Sequence, residues 1–223
     1  MSLKVYMHPR NNSTNRFSLF EKFAGDYKNK KILDYGGNRG NLLYFSQGKI
    51  KEENYTCIDV EKDAIRQGKI EFPNANFIHY NRFSPMYNEG NIDEPFPVLE
   101  EKFDICFAYS VFTHTDFSTF ETTVNYLQAI CKKLILSFVS KENIVMKTWV
   151  SNKRQADFGS CLNLDVDGNY FYLIDNDKIY IEQKVYNKKE RFFFSFYENN
   201  FIKTTFECNT FLNLDGQDFL IIE

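Results

Sequence analysis

Lys31-Ile32-Leu33-Asp34-Tyr35-Gly36-Gly37-Asn38-Arg39-Gly40 sets a short apolar run against a glycine-rich turn, with an acid between them. Apolar residues leading into glycines predict a buried parallel strand that ends in a sharp βα turn. Without a Cβ, glycine lets the backbone approach a bound molecule closely. About one helix later, Tyr55-Thr56-Cys57-Ile58-Asp59-Val60 repeats the arrangement, an apolar run with an acid at its end. Asp59 stands 19 residues beyond Gly40, near the roughly 20-residue offset expected of a group that holds a ribose. Together the two segments describe a nucleoside-binding crevice at the carboxyl ends of adjacent strands.

Two common nucleotide sites fit poorly. A nicotinamide-dinucleotide loop needs glycine two residues after Gly36, where this chain has Asn38. Asp34 would also turn its charge toward a pyrophosphate, so it better suits a ligand with a cationic or hydrogen-bond-donating portion. The Walker pattern fails because Asn41-Leu42 follows Gly40 in place of Lys-Ser or Lys-Thr.

Working outward, strands alternate with helices. The pattern predicts a helix over 17–27, strands over 31–34, 55–60, 75–80, 103–109 and 133–139, and helices over 41–50 and 61–72. Ser118-Thr119-Phe120-Glu121 reads as a capping box opening a helix through Ile130. Residues 81–99, rich in Asn, Pro and Gly, read as an irregular loop. Such alternation requires crossovers, hence a Rossmann-like, doubly wound, mainly parallel α/β sheet. After about residue 160 the pattern changes. Apolar runs at 170–174 and 178–186 flank Asp175-Asn176-Asp177, a hairpin signal; a helix over 187–200 and edge strands over 201–207 and 218–222 follow. The chain therefore reads as one domain, 1–223, with a sheet of seven strands and an insertion at 140–186 on its ligand-binding edge.

The 223 residues suffice for a substantial core, since a chain of this size buries roughly 70% of its unfolded surface. A net charge of −3, from 27 basic and 30 acidic residues, argues against broad nucleic-acid binding while leaving room for a local patch. Cys57, Cys106, Cys131, Cys161 and Cys208 form no C-x-x-C pair. Their odd number and wide spacing favour a reducing, cytoplasmic compartment over a disulfide framework. The amino terminus shows no secretory pattern, and the best apolar run, 134–139, is too short to span a bilayer. His8, His79 and His114 lack metal-ligand spacing, so no metal is expected.

Asp34-Tyr35-Gly36-Gly37-Asn38-Arg39-Gly40 resembles the D-x-G-x-G-x-G loop of class I S-adenosylmethionine-dependent methyltransferases, with Asn38 replacing the central glycine. Ile58-Asp59-Val60 is similar to their second-strand acid, and residues 103–114 to their fourth-strand motif. Residues 216–223 are similar to their closing strand. The ordered match covers about residues 30 to 140.

The resemblance implies S-adenosyl-L-methionine as cofactor and a small-molecule methyl acceptor reacting through oxygen or nitrogen. It assigns Asp34, Gly36, Gly37, Asn38 and Gly40 to the cofactor's amino-acid side, Asp59 to the ribose and Val60 to the adenine. Asn81 and Arg82 follow the third strand, near the expected adenine amino group; Asn81 can accept its hydrogen bond, whereas Arg82 has only donors. Tyr109 and Ser110 border the sulfur and the acceptor. His114 is the candidate base, having an imidazole that titrates near neutrality. Bland alternatives stand beside each assignment: Asp34 as acceptor of turn N–H groups, Asp59 as a helix N-cap, Asn81 and Arg82 as turn residues, His114 as a packing residue. Asn38 tolerates a left-handed backbone but carries bulk into the turn, which leaves open a non-catalytic binding module. A nucleic-acid methyltransferase is the third reading. It would need a continuous basic surface beside the pocket.

Overall fold

The computed structural model describes residues 16–84, 87–140, 170–175, 178–183, 192–214 and 217–223. In chain order the elements are α1 (Arg16–Ala24), β1 (Ile32–Tyr35), α2 (Asn41–Ser46), β2 (Tyr55–Asp59), α3 (Lys62–Glu71), β3 (Asn76–His79), β4 (Phe103–Ala108) and α4 (Phe117–Ile130). There follow β5 (Cys131–Phe138), β6 (Tyr170–Asp175), β7 (Lys178–Gln183), β8 (Phe192–Tyr197), α5 (Asn199–Phe206), β9 (Asn209–Leu214) and β10 (Gln217–Ile222). Residues 1–15 and the 141–169 part of the expected insertion lie outside the described residues.

Every residue of β1 is buried, as befits a parallel strand covered on both faces. Ile32 packs with Phe17 and Phe20 of α1 and Leu42 of α2, while Leu33 packs with Phe120, Val124 and Leu127 of α4. Successive side chains thus enter opposite halves of the core. β1 pairs in parallel with β2 and β4, and the full order is β3-β2-β1-β4-β5-β10-β9. β10 runs antiparallel to both β5 and β9. The protein is a doubly wound, mainly parallel seven-stranded sheet. Its strand order reverses between β1 and β4, so a crevice opens outside their carboxyl ends.

A second sheet has the order β6-β7-β8, antiparallel throughout. The expected hairpin is present as β6 and β7, joined by a third strand. Ser195 Oγ donates to Phe112 O at 2.8 Å, and Tyr197 OH to Thr115 O at 2.9 Å. These bonds dock β8 onto the turn after β4.

Three local expectations need correction. Residues 192–197, expected in a helix, form β8, consistent with the strand preference of the aromatic run Phe192-Phe193-Phe194. Residues 201–206, expected in a strand, belong to α5, where Ile202 and Phe206 lie one turn apart and are both buried. The cap of α4 is Asp116, not Ser118: its carboxylate accepts from Thr119 N–H at 2.7 Å. Among the described residues no helix is long and apolar enough to cross a membrane.

Candidate functional site

The turn after β1 is left-handed at Gly36 (φ 75°), Asn38 (φ 57°) and Gly40 (φ 79°). Asparagine tolerates this conformation better than most side-bearing residues, so the turn survives without the central glycine. A Cβ at Gly36 would run into the Val111 side chain, and one at Gly37 into Asp34 and Cys57. The turn is packed from behind by its own protein.

Asp34 lies beneath that turn and is buried. It accepts a hydrogen bond from the Tyr55 hydroxyl and another from the Leu42 backbone N–H. Burial pushes its carboxyl up to about 6; Tyr55 and the Arg16 charge oppose the rise and Asp59 adds to it. The carboxylate clamps strand, turn and helix together.

Asp59 closes β2 and holds the turn from the other side. Its Oδ2 accepts from Asn38 N–H at 2.6 Å and its Oδ1 from Glu61 N–H at 2.8 Å. Burial again raises the carboxyl to about 6 against these backbone donors. Asn38 also turns its side chain outward, donating from Nδ2 to Glu61 Oε2 at 2.8 Å. Half-buried Val60 packs against the core. Its carbonyl lies 3.2 Å from His79 Nε2, and because a carbonyl only accepts, that nitrogen carries the hydrogen.

At the end of β4, the Arg16 guanidinium sits 5.0 Å over the Tyr109 ring. Ser110 is left-handed (φ 61°) and its N–H donates to Ser137 Oγ at 2.7 Å. Ser137 Oγ donates to Gln217 Oε1 at 2.6 Å, and Gln217 Nε2 donates to Ser110 Oγ at 3.0 Å. This closed circuit joins β5 and β10 to the loop after β4. His114 ends a 3-10 turn, and its ring meets Tyr87 edge-on at 6.0 Å. Burial and then the charges of Asp59 and Glu61 push the Tyr87 phenol up, with Arg16 opposing. Half of Tyr87 is nonetheless exposed.

Asn81 and Arg82 engage the 81–99 loop. Asn81 Oδ1 accepts from Asn88 Nδ2 at 3.2 Å. Arg82 donates to Tyr80 OH at 3.1 Å and covers the Phe96 ring at 5.5 Å. The structure therefore brings the turn residues, Asp34, Asp59 and Val60 together, with Tyr109, Ser110 and His114 on the neighbouring strand end. Asn81 and Arg82 have partners of their own in the loop.

No protein-family model matches the chain, and no curated protein does. Solved structures match its shape. The glycopeptide N-methyltransferase MtfA, determined with sinefungin, superposes with a TM-score of 0.56 at 7% identity, over 94% of this chain and 92% of that one. PH0226 from Pyrococcus horikoshii gives 0.56 at 11% identity, over 92% and 88%. The methyltransferase CcbJ from Streptomyces caelestis gives 0.52 at 8%, over 93% and 88%. The chain shares their fold.

Within it, sequence reasoning passed over Arg16, Glu61 and Tyr87. Glu61 was the most accessible of these, two residues beyond an acid already singled out. Arg16 and Tyr87 sit in no motif and reach the site only through tertiary packing.

Proposed function

We propose that this chain binds S-adenosylmethionine and transfers its methyl group to an oxygen or nitrogen of a small-molecule acceptor. The observation that carries the proposal is the juxtaposition at the strand-order reversal: a packed glycine turn after β1 beside two carboxylates after β2. Those acids suit ribose hydroxyls, since charged acceptors make the stronger hydrogen bonds. Gly36, Gly37, Asn38 and Gly40 shape the turn under the amino-acid portion, and Arg16 offers a cation to its carboxylate. Val60 supplies an apolar wall for the adenine, with Asn81 and Arg82 beside it. When bound, the cofactor supplies an electrophilic methyl carbon on a sulfonium.

The remaining work is alignment. Tyr109 and Ser110 border the methyl position, and holding the reactants in line contributes several kcal/mol of barrier reduction. His114 removes the proton of an acceptor hydroxyl or amine. The 81–99 loop and the 140–186 insertion frame the acceptor, within one domain spanning 1–223. A cytoplasmic setting suits the free thiols of Cys57, Cys106, Cys131 and Cys208.

A second reading, a non-catalytic binding module, draws on one observation: protein atoms alone account for the missing side chains at Gly36 and Gly37. Calorimetry with S-adenosylhomocysteine, then labelled-methyl transfer to an acceptor library, tests the proposal. Binding with transfer supports it, and binding without transfer to any acceptor favours the module. His114→Asn should keep cofactor-product affinity and slow single-turnover transfer by roughly 10²–10⁴-fold. Native rates in that variant would remove His114 from the chemistry.

A further inference from the structure

β10 opens with two neighbouring polar side chains at the crevice end of the sheet. It runs antiparallel to β5 with Asp218 opposite Phe138, so Gln217 lies just past the last residue of β5. Successive strand residues point to opposite faces. Asp218 is fully buried, and its Oδ2 accepts the Ser140 N–H at 2.6 Å. That bond pins the start of β10, while Gln217 reaches the loop after β4. The same loop backs the glycine turn, since Val111 occupies the space beside Gly36.

The hydrogens around Gln217 can be followed one by one. Ser137 Oγ takes the Ser110 N–H at 2.7 Å and gives its own hydrogen to Gln217 Oε1 at 2.6 Å. This turns Gln217 Nε2 toward Ser110 Oγ, to which it donates at 3.0 Å. Thr113 Oγ1 donates to the Ser110 carbonyl at 3.1 Å, so in the 3.3 Å contact between the two hydroxyls it is Ser110 that donates. A hydroxyl has one hydrogen and two acceptor positions. Ser110 has committed its hydrogen to Thr113 and one acceptor position to Gln217. A single acceptor position remains on this half-buried residue.

Resting on the cofactor reading above, we propose that Gln217 is a positioning residue which leaves Ser110 Oγ an acceptor only, ready for an N–H or O–H at the point of methyl transfer. The acceptor class is then an amine or a hydroxyl that still carries its hydrogen. Ser110 stands in a left-handed backbone (φ 61°), and the Ser137 and Gln217 bonds hold it there.

The test is calorimetry with two probes. Sinefungin carries an amine where S-adenosylmethionine carries its transferable methyl group, and S-adenosylhomocysteine has nothing at that point. Ser110→Gly removes the hydroxyl at a backbone angle that glycine adopts freely. It should weaken sinefungin about ten-fold or more, the scale of a lost hydrogen bond to a charged group. Gln217→Leu should weaken sinefungin about five-fold. Both variants should hold S-adenosylhomocysteine within about two-fold of the wild type, and the double variant should bind sinefungin no more weakly than Ser110→Gly, as coupled neighbours behave. A merely structural role for Gln217 would weaken both probes alike, and that result overturns the assignment. So does native sinefungin affinity in Ser110→Gly, a variant that decides the matter even where Gln217→Leu fails to fold. Either outcome leaves the cofactor reading standing. A wild type that binds neither probe overturns both.

Discussion

Asp34 and Asp59 are carboxyls held in the core by donors placed with little slack, and each is raised from an ordinary 3.8 to about 6. The sign of the consequence is fixed. A carboxyl raised in the folded state binds its proton more tightly there than in the unfolded chain. Its contribution to stability is complete below pH 4 and is lost as pH rises through 6. Asp34→Asn removes that titration for one site. Between pH 4 and pH 7 the wild type should therefore lose about 2 kcal/mol of unfolding free energy relative to the variant. Urea titrations at several pH values measure it, and a difference that stays flat would contradict the buried-carboxylate account. The spacing of apolar runs and glycines made both acids legible in the sequence. Their partners were not, because Tyr55, Leu42 and Arg16 reach Asp34 through packing that no local pattern encodes.

Among the elements, those with clear periodicity matched expectation within a few residues. β1, β2, β4 and β5 read as apolar runs because both faces of the sheet are covered. One misread segment is a place where local preference and tertiary contact disagree. Asn199–Phe206 carries Ile202, Thr204 and Thr205, residues that favour strands; burial of Ile202 and Phe206 on one face outweighs that preference. The 81–99 loop, expected to be irregular, is clasped. Phe96 stacks on Tyr126 of α4 with ring centroids 4.4 Å apart, and Tyr126 OH donates to Pro97 O at 2.8 Å. Phe83 N–H and Asn91 N–H donate across the loop, at 3.0 Å to Asn91 O and 3.1 Å to Asn81 O. Phe96→Ala should open this clasp at a cost of about 1–2 kcal/mol. Hydrogen exchange should then speed up at the Phe83 and Asn91 amides while β4 stays protected. Unchanged exchange at both amides would show that the loop stands without Phe96.

For the whole molecule, the reversal of strand order between β1 and β4 brings the glycine turn, the two acids and the end of β4 to one edge. Strand–helix alternation was enough to expect a doubly wound, mainly parallel sheet. The docking of β8 against the turn at Phe112 was beyond it, since that depends on the Ser195 and Tyr197 hydroxyls finding carbonyls 82 and 83 residues away. The same convergence means that one ligand would touch the turn, the β2 edge and the β4 loop at once. A ligand that binds only the folded chain stabilises it by mass action, by about 2.7 kcal/mol at a hundred times its Kd. S-adenosylhomocysteine at that excess should raise the unfolding midpoint by about 5–10 °C for a domain of this size. Because Asp59 ties the turn after β1 to the end of β2, Asp59→Asn should lower the midpoint of the free protein. An Asp59→Asn protein with the wild-type midpoint would deny Asp59 that role. Differential scanning calorimetry with and without ligand reads all four states in one series.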